Sequence, residues 1–112
     1  MKAKELVYSS KFGCTPYLVS VNFNEDGALM VLDDNHWVLR DVIKQWLENN
    51  SPSYTMYDFR NNSMFRRIAN GEVQVWFFDD EATGKTAREQ AMQFKISWNG
   101  VDPYDHATRM QS

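Results

Sequence analysis

The chain has 112 residues, of which 43% are hydrophobic and 24% charged, a balance that excludes a disordered polymer and suits one domain with a modest core. The net charge of −3 supplies no basic footprint for nucleic acid, and a single cysteine, Cys14, rules out an internal disulfide. Seven Phe, five Tyr and four Trp raise the aromatic share to 14%, so the placement of the rings is the main thing to read.

Residues 4–9 read as a short strand, and Gly13, Thr15 and Pro16 mark a loop. Residues 17–23 alternate: Tyr17, Val19, Val21 and Phe23 share one face, and Leu18, Ser20 and Asn22 the other. Asn24, Glu25, Asp26 and Gly27 read as a hairpin turn with Gly27 at positive φ, returning into a partner strand at 28–32. That stretch of five is the longest apolar run, against the roughly 20 residues of a membrane span.

Asp33, Asp34 and Asn35 are good helix caps, and Val38, Leu39, Val42, Ile43, Trp46 and Leu47 then follow the 3.6-residue stripe. The spacing predicts a main amphipathic helix over about 35–49, stopped by Asn49, Asn50, Ser51 and Pro52. The rival reading makes 36–40 a strand and starts the helix at Asp41. Residues 53–60 are aromatic and β-prone, and a short helix is expected over about 63–69.

Residues 72–79 alternate again, with Val73, Val75 and Phe77 on one face and Gln74, Trp76 and Phe78 on the other. Met92, Phe94, Ile96 and Trp98 share a period of two over 88–98, which predicts a second hairpin through the polar turn 80–86. The expected architecture is α+β: an antiparallel sheet built from two hairpins, with the main helix on one face. Residues 1–100 form the expected single domain, and the polar segment 101–112 a loosely held tail.

No set of residues carries a convincing catalytic signature. Gly84, Lys85 and Thr86 resemble the end of a phosphate-binding loop. Position 79 is Asp where such a loop needs Gly, and Asp79, Asp80 and Glu81 would repel phosphate. Cys14 would need His36 or His106 beside it to act as a nucleophile, and two histidines cannot make a three-histidine zinc site. Asp102, Asp105 and His106 have metal-ligand chemistry in a segment without pre-organisation. Neither a metal nor a cofactor is therefore expected. The acidic pairs Glu25–Asp26 and Asp33–Asp34, with 79–81, would form a negative rim if the fold gathered them.

The unusual element is the strand at 72–79, which carries large apolar groups on both faces. A one-sided sheet would leave Trp76 and Phe78 in water, so a second layer or another chain must cover them. The expected function is a small non-enzymatic protein-binding module. Such a chain would serve as an inhibitor, adaptor or accessory protein of the kind a phage or mobile element carries. Its face would comprise Trp76 and Phe78, rimmed by Arg66, Arg67, Asp79 and Asp80, types enriched at interface centres or rims. Another protein is the expected partner, with self-association into a homodimer as a variant and no membrane partner. The alternative is nucleic-acid or nucleotide binding through Arg60, Arg66, Arg67 and Tyr57. A free thiol, six Met and no signal-like opening suit the cytoplasm.

Overall fold

A computed structural model describes residues 1–61 and 68–99. Strand β1 (Lys2–Glu5) pairs antiparallel with β2 (Tyr17–Asn22), joined by an arm in which Ser9 and Cys14 bridge and Gly13 turns at φ +69°. The other edge of β2 is taken by β6 (Glu72–Phe77), which also pairs with β5 (Thr55–Tyr57). All pairings are antiparallel, giving a four-stranded sheet in the order β1-β2-β6-β5. The protein is thus α+β with antiparallel sheets, as the hydrophobic patterning indicates.

The hairpin expected between 17–23 and 28–32 does not form. Asn22 ends the strand as a helix cap, its Oδ1 accepting the Asn24 N–H at 2.9 Å, and one helical turn α1 (Phe23–Asp26) follows. Gly27 sits at φ −56°, so no left-handed turn exists there to fold the chain back. Instead β3 (Met30–Asp33) pairs with β4 (His36–Leu39) in a separate two-stranded hairpin. Its turn residues Asp34 and Asn35 stand at φ 50° and 66°, the left-handed pair that a two-residue hairpin turn needs. The main helix read over 35–49 therefore begins later, at α2 (Asp41–Asn50). The rival strand reading of 36–40 is the observed one. Val38 and Leu39 are buried either way, which is why the stripe did not separate the two readings.

The larger correction concerns 88–98, expected as a strand and found as the longest helix, α3 (Ala87–Trp98). Phe94 and Trp98 are four apart, so they satisfy a period of two and a helical face equally. Ala87, Gln90, Ala91, Phe94 and Trp98 form the buried helical face, whereas Ile96 is 82% exposed. Thr86 caps the helix, its hydroxyl accepting the Glu89 N–H at 3.1 Å. Hence β6 leads through a loop into a helix rather than into a second hairpin strand. Of the short helix expected at 63–69, residues 63–67 lie outside the described residues, and Ile68 and Ala69 are not helical. The segment 101–112 lies outside them as well.

Helix α3 packs on the face formed by Val19, Val21, Val73, Val75 and Phe77, all fully buried, and Ile43 and Leu47 of α2 join the same core. Trp46 of α2 meets Phe94 and Trp98 of α3 with ring centroids 6.0 and 6.2 Å apart, and Phe94 meets Phe77 at 5.7 Å. Buried Gln90 ties helix to sheet: its Nε2 donates to the Phe78 carbonyl at 2.6 Å. One aromatic placement differs. Phe23, on the Val19–Val21 side of the 17–23 alternation, is 39% exposed because it has left the strand, whereas Tyr17 and Trp46 are half-buried against the core.

Candidate protein-binding face

The alternation of a strand decides what lies opposite the helices. Along β6, Val73, Val75 and Phe77 point into the core, so Gln74 and Trp76 project from the other side. Register sets Trp76 between Leu18 of β2 and Thr55 of β5, and places Lys4 of β1 on the far side of Leu18. The next row runs Lys2, Ser20, Gln74, Tyr57. Tyr57 meets Trp76 edge-on at 5.5 Å, and the indole Nε1 donates to Gln74 Oε1 at 3.3 Å. Phe78, just past the strand end, is met by Phe12 of the β1–β2 arm at 4.6 Å. Lys11 holds its ammonium 5.5 Å from the Phe12 ring centroid.

The rings of Trp76, Phe78 and Tyr57 are half-buried here, while their β6 neighbours across the sheet are fully enclosed. The buried faces of α2 and α3 belong to the core on the opposite side. The arm adds exposed apolar side chains, with Val7 at 88% and Tyr8 at 63%. Phe12 and Leu18 were not singled out by sequence. Leu18 was legible from the alternation, but Phe12 arrives through the turn at Gly13, for which no local pattern exists.

The expected rim divides. Asp79 accepts the Ala87 N–H at 2.8 Å and so helps start α3. Asp80 accepts the Ala82 N–H at 3.0 Å and the Thr83 hydroxyl at 2.9 Å, holding the loop closed. Both acids therefore shape the connection at the Phe78 end of the sheet. Arg66 and Arg67 lie outside the described residues. The acidic groups at 25–26 and 79–81 do not gather into one rim. Glu25 and Asp26 follow the end of β2 that pairs with Glu72, whereas 79–81 follow the opposite end of β6.

The alternative patch is not assembled among the described residues either. Arg60 is engaged by two carboxylates, Asp58 and Asp33, each at 3.2 Å. The hydrogen bond it donates to Asp58 foremost, with the charges of Asp58 and Asp33, raises its pKa against the opposing effect of burial. Its guanidinium is thus matched internally, while Tyr57 belongs to the Trp76 row.

The Gly84-Lys85-Thr86 segment does follow a strand and open a helix, contrary to the expected hairpin. Yet its amides are already matched: Asp80 side chain and carbonyl take the Ala82 and Gly84 N–H groups, and Thr83 accepts that of Lys85 at 3.4 Å. Two carboxylates stand where a phosphate would need donors. Cys14 is buried in the arm, and His36 stands against Phe59 at 5.1 Å. Among the described residues no group of three His, Cys, Asp or Glu side chains is placed to hold a metal. Asp102, Asp105 and His106 lie outside them. No helix among the described residues is long and apolar enough to cross a membrane.

Fold and face together define a small α+β protein with one helix-packed sheet face and one aromatic face. Compared with protein-family models, curated proteins and solved structures, the chain finds no match.

Proposed function

We propose that this protein is a non-enzymatic binding module that engages another protein through the sheet face bearing Trp76 and Phe78. The observation that supports this reading is the half-burial of both rings on the side away from α2 and α3. Covering the exposed part of such rings contributes about 25 cal/mol per Å² of apolar surface. Aromatic anchors in a water-excluding ring of weaker contacts are the usual source of interface energy. Leu18, Thr55 and Phe12 surround the two rings in that way. A face with one indole, several phenyl rings and, among the described residues, no assembled acid–base pair suits recognition rather than turnover. Within this reading the protein acts in the cytoplasm as an inhibitor, adaptor or accessory subunit.

Site-specific photo-cross-linking in the native host tests the reading. A photoreactive phenylalanine analogue replaces Trp76 in one version and Ile96, on the exposed side of α3, in another. The expected result is one defined protein cross-linked from position 76 and not from 96, with its purified form losing affinity for Leu18→Glu. Equal labelling from both positions, no labelling, or undiminished binding by Leu18→Glu overturns it. A cross-link to a second copy of the chain identifies the homodimer as the variant that applies.

A further inference from the structure

A separate cleft of about 310 Å³ opens at the other end of β6, where β2 runs into α1 and β4 begins. Its lining includes Asn22, Phe23, Asn24, Trp37, Asn70 and Glu72. The Phe23 and Trp37 rings stack with centroids 4.2 Å apart and planes tilted by 35°. Three hydrogen bonds fix the walls. Phe23 donates its N–H to the Gly71 carbonyl at 2.7 Å, Trp37 its N–H to Asn70 Oδ1 at 3.0 Å, and Asn24 its N–H to Asn22 Oδ1 at 2.9 Å. The volume is in the range of small-ligand pockets, roughly 300–1,000 Å³.

The lining has a definite chemical character. Among the described residues that form it, Glu72 is the one charged group, and neither Lys, Arg nor His contributes. The Glu72 carboxylate is half-buried and makes no ion pair among the described residues. Aromatic rings present a negative face that attracts cations, most strongly in indole. A carboxylate in a partly enclosed groove acts at an effective dielectric well below that of water. Asn24, which also lines the cleft, carries an amide oxygen able to accept. An anion would meet repulsion and no positive partner, whereas an alkylated ammonium ion meets apolar ring surface for its carbons and a carboxylate for its charge.

We propose that this cleft binds an organic ammonium ion, held by the Phe23–Trp37 ring pair and the Glu72 carboxylate. The ion is either a free quaternary amine or the alkylated ammonium of a lysine side chain on a protein. The site is distinct from the Trp76–Phe78 face, and neither proposal depends on the other.

Titration of the full chain, followed by calorimetry and by the Trp37 indole N–H resonance, tests this with four probes. These are choline, its neutral carbon isostere, a short peptide carrying trimethyllysine, and a neutral methyl glycoside. Choline is expected to bind and to shift the Trp37 resonance, with the isostere weaker by about tenfold. Glu72→Gln is expected to lower choline affinity by about tenfold while leaving the thermal midpoint unchanged. A peptide that binds more tightly than choline assigns the ion to a protein, and the opposite order to a free small molecule. Absent choline binding, equal binding of the neutral isostere, or an unaffected Glu72→Gln overturns the proposal. So does a neutral methyl glycoside that binds more tightly than choline.

Discussion

The two faces of the four-stranded sheet are drawn from the same strands, one residue apart, and they obey different constraints. On one, Val19, Val21, Val73, Val75 and Phe77 are fully enclosed in the core that α2 and α3 join. On the other, Leu18, Ser20, Gln74, Trp76 and Phe78 are half-buried, with Phe12 reaching over from the arm. The first face shows what this chain needs in order to fold. The second carries rings as large as those of the core without the enclosure that would make them core. Under the proposed function, that contrast separates stability from recognition on adjacent residues, and substitutions test it.

The largest loss should come from Phe77→Ala, which empties a site between the sheet and Phe94. Urea denaturation is expected to show about 3–5 kcal/mol of destabilisation. Next is Gln90→Ala, which leaves the Phe78 carbonyl with only the longer Ser53 hydroxyl bond at 3.3 Å in place of the 2.6 Å one and should cost about 2 kcal/mol by the same measurement. Trp76→Ala, on the half-buried face, should cost about 1–2 kcal/mol, because its ring is only partly withdrawn from water in the folded state. A loss as large as that of Phe77→Ala would make the two faces equivalent and remove the contrast. Thr86→Ala should cost about 1 kcal/mol through loss of the α3 cap, seen as a lower thermal midpoint in circular dichroism.

The smallest effect concerns pH. Burial, with Glu48 adding to it, raises the Tyr54 pKa above its ordinary value of 10.0. The folded state therefore keeps the phenol protonated where the unfolded chain releases it. Stability from this source is complete below pH 10.0 and falls as pH rises towards the folded pKa. Tyr54→Phe should flatten that alkaline decline, measured as the unfolding midpoint in urea against pH.

The same contrast explains how much the sequence made legible. Strands β2 and β6 were readable because one face is buried and the other is not, which writes an alternation into the residues. Which side of β6 each of Trp76 and Phe78 occupies followed directly. The helix α3 was misread because Phe94 and Trp98 fit both periods. The deciding signals were weaker ones: Thr86 as cap and Ala87, Gln90 and Ala91 on the buried side. The strand β4 was hidden because Val38 and Leu39 continue the α2 stripe. Only the left-handed pair Asp34–Asn35 breaks it, and those residues are equally good caps. Pairing partners were the least legible feature. Nothing local in residues 17–22 says that β6, fifty residues on, takes the edge expected for 28–32. The Phe23–Trp37 cleft depends on that long-range pairing, so it had no signature of its own.

The central claim is that Trp76 belongs to recognition more than to folding. The most direct test is the affinity of purified Trp76→Ala for the protein cross-linked at position 76, measured beside its unfolding free energy. The account predicts at least a roughly tenfold loss of affinity with a stability loss well short of that of Phe77→Ala. Unchanged affinity in a folded Trp76→Ala chain would contradict it.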